Sequence, residues 1–226
     1  MTLPSQSVKR TAPVSGDDFA VVEVAGKKYL VSVIADESGH FQQSLPTYHL
    51  WIPPVAVGAN KLHWDLFNGA SSGLKIELRG IWAIPKQDVT VTGVLGVEYG
   101  LFRTSAVGTG GTAAGYNTGN VLTSPVITPA DTLTDPDLTL GATTISARLG
   151  PTGGATISAP WWGQYVQTEE AATSMAAIQA FQNLLPVGTM NKRLTLNPGQ
   201  GILAKQGSVA GVGSIACLVC FTAVAP

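Results

Sequence analysis

Residues 61–85 read KLHWDLFNGASSGLKIELRGIWAIP, and this stretch decides the fold class of the chain. Both halves alternate apolar and polar residues with a period of two, which is the pattern of a β-strand with one buried face. Between the halves, Asn68 and Gly69 supply a turn. The first half places Leu62, Trp64 and Leu66 on one predicted face and His63, Asp65 and Phe67 on the other. The second half alternates through Leu74, Ile76 and Leu78.

Further strands are predicted at residues 47–53 (TYHLWIP), 90–104 (TVTGVLGVEYGLFRT), 192–206 (KRLTLNPGQGILAKQ) and 213–224 (GSIACLVCFTAV). Pro53 and Pro54 are expected to stop the first of them. The third run bends at Asn-Pro-Gly, and the fourth is the most apolar and is predicted to be central. Many short strands with turn signals predict a mainly β domain over residues 47–226, an antiparallel β-sandwich or jelly roll.

Residues 1–46 predict an N-terminal arm that contains a β-hairpin. Residues 1–18 have no periodicity, and they lack the apolar core of a signal peptide, so we expect synthesis in a cytoplasm. Residues 19–35 contain two β-rich runs separated by Gly26 and lysines, which is a hairpin signal. The sequence leaves open whether this hairpin belongs to the main sandwich or to an extended arm.

Residues 104–160 predict a long ordered loop, because Thr, Gly, Ala and Pro predominate there. A loop of this length in a compact domain is typical of a functional excursion, and we expect neighbouring subunits to order it.

One short helix is predicted within residues 168–186 (TEEAATSMAAIQAFQNLLP). Thr168 suits the N-cap, and Glu169 and Glu170 suit the positive end of the helix dipole. Met175 and Ile178 lie near one face, and Pro186 stops the run. We expect this helix to pack on a sheet as a lid or crossover.

The charge content limits the possible partners. Charged residues make up 12% of the chain, against about 25% in ordinary soluble domains, and the formal net charge is -1. A surface with so little charge favours association with other protein surfaces. Nucleic-acid binding is not expected because no basic patch is present. Membrane insertion is not expected either, since no apolar run reaches the roughly 18–20 residues of a span.

The residue types of catalytic and metal sites do not form a recognisable pattern. Cys217 and Cys220 lie three apart on a predicted strand, so their thiols point to opposite faces and we expect core packing. The three histidines His40, His49 and His63 are dispersed, and G-x-S-x-G, EF-hand and phosphate-loop patterns are missing. We therefore expect no enzyme, no cofactor, no metal and no small-molecule ligand.

The candidate interface residues are Trp161, Trp162, Tyr116, Tyr165, Lys9 and Arg10. Trp161 and Trp162 follow a proline and face opposite ways on an extended segment, so one is expected in the core and the other as an interface anchor. A sugar-binding platform that includes Tyr165 is the alternative. The remaining candidates lie in the predicted loop and arm that reach neighbouring subunits.

The order of these segments resembles a known class of proteins. Residues 48–54 (YHLWIPP), the stretch at 60–84, the Gly/Thr/Asp-Pro-rich middle, residues 147–156 (ARLGPTGGAT) and the closing residues 194–206 (LTLNPGQGILAKQ) resemble small jelly-roll or β-sandwich structural proteins of tailed bacteriophages. The resemblance covers residues 47–224 and is one of style and order, including a closing Pro-Gly-x-Gly hairpin. It carries no catalytic signature.

The resemblance implies a virion component, most directly a capsid decoration or cement protein that links neighbouring capsid subunits. The implied partners are further copies of the chain, as a homotrimer, and the major capsid protein or another virion protein. A receptor-binding or fibre/neck-tail module of the virion is the alternative reading. A cupin-like enzyme is a third, and the dispersed histidines argue against it.

Overall fold

The computed structural model describes residues 19–24, 27–32, 46–86, 95–116, 123–130, 138–169, 182–185 and 194–224. For residues 19–24, 27–32, 95–96, 160–169 and 182–183 the description covers the backbone alone. The chain divides into two compact units, Met1–Leu45 and Pro46–Pro226. In the first unit, β1 (Phe19–Val24) and β2 (Lys27–Ser32) pair antiparallel, which is the pairing that the hairpin prediction requires.

The second unit is mainly β and contains two mostly antiparallel sheets. Its strands are β3 Thr47–Ala56, β4 Leu62–Asn68, β5 Lys75–Lys86, β6 Leu95–Thr104, β7 Thr112–Ala113, β8 Gly115–Tyr116, β9 Val126–Pro129, β10 Ile145–Leu149, β11 Ile157–Glu169, β12 Gln182–Asn183, β13 Thr195–Leu196, β14 Gln200–Gln206 and β15 Ser214–Val224. The six-stranded sheet has the order β11-β6-β14-β4-β10-β7. The seven-stranded sheet has the order β12-β5-β15-β3-β9-β8, with β13 also paired to β5.

Both sheets contribute to one hydrophobic core cluster. From the six-stranded sheet it takes Trp64, Leu66, Tyr99, Leu101, Ile145, Ala147, Ile202 and Ala204, and from the seven-stranded sheet Tyr48, Leu50, Ile52, Ile76, Leu78, Ile81, Ala83, Ile127, Cys217, Val219 and Phe221. The predicted central position of β15 is confirmed, because this strand pairs with β3 on one side and β5 on the other.

The alternation predicted for residues 61–68 describes the direction of the side chains but not their burial. Trp64 and Leu66 enter the core cluster as expected. On the other face Asp65 and Phe67 are also buried. His63 has no opposite residue in β14, because the register shifts there, and its ring is buried against Tyr99 of the core cluster. A strand with two buried faces is expected where chain covers the sheet on the side away from the core, and an alternating sequence does not reveal such a cover.

Strand β3 runs through Pro53 and Pro54, so the prediction that they end the strand is wrong. Beyond Trp51, β3 has no further partner in β9, and its pairing with β15 shifts register between Ile215 and Cys217. The two prolines lie at this irregularity. Proline is tolerated there because a bulge on an edge needs no ladder hydrogen bond from it.

The prediction of one long loop over residues 104–160 is wrong, because β7, β8, β9 and β10 lie inside it and β11 begins there. These strands are short, and glycines and threonines between them hide their period. Ala114 stands between β7 of one sheet and β8 of the other, and its amide donates a hydrogen bond to the carbonyl of Ala147 over 2.8 Å. The segment therefore joins the two sheets at one side.

The predicted helix does not begin where its N-cap was expected. Thr168 and Glu169 belong to β11, whose pairing with β6 extends to Glu169 opposite Leu95. Residues 170–181 lie outside the described residues, and the end of the predicted helix is β12. No helix occurs in the part of the second unit that the structure describes. Pairing across the sheet outweighs the local helical preference at both ends of the segment.

The two turns near Asn68 and Gly199 are corners between the sheets, and neither closes a hairpin. The first leads from β4 to β5 and the second from β13 to β14, and in both cases the strands lie in different sheets. Gly199 has a φ of 83°, which favours glycine. The expected closing Pro-Gly-x-Gly hairpin is therefore an arch from one sheet to the other.

The Asn68 side chain holds these two corners together. It is fully buried, and its amide nitrogen donates hydrogen bonds to the carbonyls of Leu74, over 2.8 Å, and Leu196, over 2.9 Å. The Gly199 amide in turn donates to the Asn68 carbonyl over 2.7 Å. Removal of the side-chain amide would take this donor from the Leu196 carbonyl at a buried contact, whereas the partly buried Leu74 carbonyl also accepts from the Ser72 hydroxyl over 3.4 Å.

Replacement of this amide tests the clamp. Asn68→Ala should lower the free energy of unfolding by about 1–3 kcal/mol, mainly because the Leu196 carbonyl loses a donor at a buried contact. Urea denaturation measures the change. Asn197→Ala, at an exposed position in the second corner, is the control and should cost under about 0.5 kcal/mol. Equal costs for the two variants would show that Asn68 is not a clamp.

Candidate functional site

A row of apolar side chains crosses the outer face of the seven-stranded sheet. Leu218 on the central strand β15 lies opposite Trp51 on β3 and opposite Trp82 on β5. Trp51 in turn lies opposite Val126 on β9. These four residues, here named the apolar band, occupy four adjacent strands, and each is partly exposed. Residues directly opposite each other on antiparallel strands share a face.

The neighbours of each band residue establish that the row faces away from the core. Leu50 and Ile52 flank Trp51, Ile81 and Ala83 flank Trp82, and Cys217 and Val219 flank Leu218; all of these belong to the core cluster. Successive residues of a strand point to opposite sides of the sheet. The band is therefore on the outer side.

A bulge in β5 gives Trp82 its outward position. The pairing with β15 passes from Cys220 opposite Gly80 directly to Phe221 opposite Leu78, so Arg79 has no opposite residue. Continued alternation from Ile76 and Leu78 would have sent Trp82 into the core. The extra residue reverses the alternation.

Trp82 packs over Gly80 on the sheet surface. A Cβ atom at position 80 would lie 2.0 Å from Cη2 of the Trp82 indole, and two further indole carbons would lie within 2.6 Å of it. Only glycine leaves room for this arrangement. An aromatic ring over a glycine also covers backbone that a strand glycine otherwise exposes.

The surroundings of the apolar band carry little charge. His49 and Cys220 form the next register pair on one side, and burial raises the pKa of the Cys220 thiol above its usual range, so this thiol stays uncharged at neutral pH. The charges begin beyond them, where Glu77 lies 3.4 Å from both Lys75 Nζ and Arg79 Nη2. One end of this face is thus ionic and its middle is apolar.

The outer face of the six-stranded sheet differs, because the chain itself covers it around Asp65. This carboxyl group is 1% exposed, and its Oδ2 accepts a hydrogen bond from the Gly108 amide over 2.8 Å. Burial raises the pKa of Asp65 to about 6, and the Gly108 amide and the Arg148 guanidinium oppose the rise. The group titrates near neutral pH but is closed off from solvent.

His63 is buried two residues before Asp65, and its ring centroid lies 5.0 Å from that of Tyr99. Burial and the nearby Lys61 ammonium lower the pKa of His63 to about 4, and the Gln206 side chain opposes this shift. The imidazole is therefore neutral at pH 7. Its position in the interior gives it no access to a substrate from solvent.

The two cysteines separate as the strand period predicts. Cys217 is buried in the core, where its Sγ lies 3.4 Å from the Tyr99 hydroxyl, while Cys220 is on the outer face and both thiols are free. Burial raises the pKa of Cys217 to about 11, so it is an uncharged core group. Within the described ranges, no cluster of three or more His, Cys, Asp or Glu residues is arranged to hold a metal.

The described interface candidates lie on strands of different sheets. Trp161, Trp162 and Tyr165 lie on β11, at the end of the six-stranded sheet, where only their backbone is described. The register shifts between Pro160 and Trp162, and the core and interface roles of the two tryptophans stay a prediction. Lys9 and Arg10 lie outside the described residues.

Tyr116 lies on β8, at an edge of the seven-stranded sheet. It is partly exposed and packs against the core cluster, and its hydroxyl donates a hydrogen bond to the Leu138 carbonyl. Its role in an interface stays a prediction.

Sequence reasoning missed Trp51 and Trp82. Their neighbours indicated strands, but the side of the sheet that Trp82 occupies depends on the bulge at Arg79. The one available signal was Gly80 in the middle of an otherwise regular strand, since a strand glycine often marks a bulge or a close approach.

No protein-family model, curated protein or solved structure matches the chain. Among the residues that the structure describes, no helix is long and apolar enough to cross a membrane.

The packing of Trp82 on Gly80 can be tested with a double-mutant cycle. Gly80→Ala should lower the free energy of unfolding by about 1–3 kcal/mol, because the new methyl group displaces the indole. In a Trp82→Ala background the same change should cost less than about half as much, since the two sites are coupled. Urea denaturation of the four proteins measures both costs.

Gly115→Ala on β8 is the matched control for the cycle. No atom lies within 4 Å of a Cβ at that position, so its cost should be small and the same in both backgrounds. A Gly80→Ala cost that does not depend on residue 82 would contradict the packing.

Proposed function

We propose that the chain is a structural subunit of a bacteriophage virion, folded as an antiparallel β-sandwich of the jelly-roll type. Its most direct role is capsid decoration, in which it binds neighbouring capsid subunits and cements them together. The observation that carries this proposal is the apolar band on the outer face of the seven-stranded sheet. The resemblance in segment order to phage structural proteins supplies the virion context.

The band suits a protein interface on physical grounds. The outer face of an antiparallel sheet is normally polar, because it meets water. Here four adjacent strands present Val126, Trp51, Leu218 and Trp82 in one row. Contiguous partly exposed apolar surface is typical of interaction sites, and tryptophan is enriched among the residues that contribute most to binding.

The edge of the six-stranded sheet is less suited to assembly. Strand β11 ends this sheet in the described part of the chain, and its pairing with β6 has three register irregularities. It also contains Pro160. Bulges and prolines on an edge strand hinder the addition of a further strand. We therefore assign the contact to the sheet face, with strand addition at β11 as the disfavoured route.

The low charge of the chain makes association through the apolar band insensitive to salt. Salt screens exposed charges, so the affinity of an interface that contains them changes with ionic strength. The four band residues have no ionisable side chain, and the neighbouring Cys220 thiol stays uncharged at neutral pH. Association through this face should therefore change little between low and high ionic strength. Self-association, as a trimer, and binding to the major capsid protein are the two expected contacts.

A charge placed in the band tests the interface. Leu218→Lys should weaken self-association and binding to phage heads by more than about tenfold, because a desolvated ammonium opposes apolar contact. Analytical ultracentrifugation measures self-association, and co-sedimentation with purified heads measures binding. Thermal unfolding of the isolated protein checks that the variant remains folded.

Ser208→Lys is the matched control, since position 208 is an exposed loop site between β14 and β15. It should leave both affinities within about twofold of the wild type. If Leu218→Lys and Ser208→Lys behave alike, the band is not the contact surface. A wild-type chain that stays monomeric and does not bind heads at high concentration would contradict the decoration role itself.

A receptor-binding or fibre/neck-tail module is the second candidate. The observation that favours it is the pair of tryptophans in one row, with backbones about 10 Å apart across the intervening strand, because sugar rings also stack on indoles. Copy number per particle separates the two. Hundreds of copies by quantitative mass spectrometry indicate decoration, and a dozen or fewer indicate a neck, tail or fibre component.

A further inference from the structure

Two loops are joined to each other above the outer face of the six-stranded sheet. They comprise residues 105–111 and 150–156, here named the double loop. The Thr109 amide donates to the Gly153 carbonyl over 2.8 Å, and the Thr152 amide donates to the Thr109 carbonyl over 2.9 Å. The Ser105 amide donates to the Thr156 carbonyl over 3.0 Å. These bonds tie the two loops into one unit.

Asp65 is one of the points at which the double loop is attached to the sheet. Its Oδ2 accepts the hydrogen bond from the Gly108 amide, and a Cβ at position 108 would lie 2.1 Å from that oxygen. Only glycine allows the loop to approach so closely. Further attachments come from Arg148, whose Nη1 donates to the Gly110 carbonyl over 3.1 Å, and from the Gly150 amide, which donates to the His63 carbonyl over 2.7 Å.

The closed double loop satisfies only part of the Asp65 carboxyl group. Oδ1 is buried and has no hydrogen-bond partner among the described residues. The double loop contains no titratable side chain, and Leu203, opposite Asp65 on β14, is apolar. Arg148, opposite Asp65 on β10, is the charged group that acts on it from the described residues. A carboxylate in this position is poorly solvated.

We propose that the double loop is a latch that is held closed over Asp65 when the carboxyl group is protonated and loosens when the group is ionised. The role goes beyond assembly and does not depend on it. Protonation places a hydrogen on one carboxyl oxygen and leaves the other free to accept from Gly108. Ionisation leaves a buried charge that water solvates better once the loop opens.

The direction with pH follows from the difference between the closed and open states. In the closed state burial raises the pKa of Asp65 from its ordinary 3.8 to about 6. In an open state that exposes the group, the pKa returns toward its ordinary value. Closure is therefore favoured fully below about pH 4 and is weakened as the pH rises through 6. A difference of about two pKa units corresponds to an increase of up to about 100-fold in the open-to-closed ratio.

Hydrogen exchange of the Gly108 amide reports the latch directly, because this amide is bonded to Asp65 only in the closed state. We expect its protection factor, corrected for the intrinsic exchange rate at each pH, to fall by up to about 25-fold between pH 4.5 and pH 7.5, since part of the full change has already occurred at pH 4.5. Asp65→Asn keeps an acceptor oxygen at the same position but cannot ionise. In this variant the protection factor should stay level across the range.

His63 titrates in an overlapping range with the opposite sign. Its pKa is lowered in the folded protein to about 4, so it contributes stability above 6.5 that is lost as the pH falls through 4. The residue is present in both the wild type and Asp65→Asn. The difference between the two profiles therefore isolates Asp65.

Two further variants locate the midpoint of the transition. Arg148→Gln removes the positive charge that stabilises the carboxylate, so the midpoint should move to higher pH. Arg148→Lys keeps the charge and should leave the midpoint nearer to that of the wild type. The quantity compared is the midpoint pH, which is set by the pKa of Asp65 in the closed state. Loss of the Arg148 hydrogen bond to Gly110 would change how firmly the loop closes, and not this midpoint.

The proposal is overturned if the wild type and Asp65→Asn give parallel profiles, or if protection in the wild type rises with pH. The second result would mean that the ionised carboxylate holds Gly108 more firmly than the protonated one. If Asp65→Asn proves too unstable to measure, the different midpoints expected from Arg148→Gln and Arg148→Lys provide the test. Equal midpoints for these two variants would also overturn the proposal.

Discussion

Asn68 joins the two places at which the chain crosses from one sheet to the other. Its side-chain amide binds the carbonyl that precedes β5 and a carbonyl of β13, and its own carbonyl accepts from the corner before β14. Asn68 lies opposite Gln200 in the pairing of β4 with β14. Its side chain also binds Leu196, which lies opposite Ile76 in the pairing of β13 with β5. A buried carbonyl without a donor is costly, so these three bonds constrain both corners together. The shared core between the sheets depends on that constraint.

The two outer faces of the domain differ in how far the chain itself covers them. On the six-stranded sheet the chain covers its own strand β4, and the loop at Gly108 closes over Asp65. On the seven-stranded sheet the described residues leave Leu218 and Trp82 partly exposed. The proposed latch lies on the first face and the proposed contact surface on the second. The two proposals therefore concern the outer faces of different sheets.

Much of the strand content was accessible from local patterns, whereas side-chain placement was accessible only in part. Alternation identified β4, β5 and β15, and the spacing of Cys217 and Cys220 correctly placed their thiols on opposite faces. It failed at Trp82, because the bulge at Arg79 reverses the faces of the strand. It failed as well at Thr168, where pairing with β6 outweighs the local preference for a helix N-terminus.

The sequence by itself determined that the chain is mainly β, poor in charge and without a recognisable catalytic pattern, since composition and a period of two are local properties. Only the tertiary structure decided which strands share a sheet, that Asn-Pro-Gly forms a corner between sheets, and that the Gly108 loop covers Asp65. Each of these depends on hydrogen bonds between residues far apart in sequence. Asp65 and Gly108 are separated by 43 positions, and Asn68 and Leu196 by 128. A pattern of neighbouring residues in the sequence cannot indicate a hydrogen bond between residues so far apart.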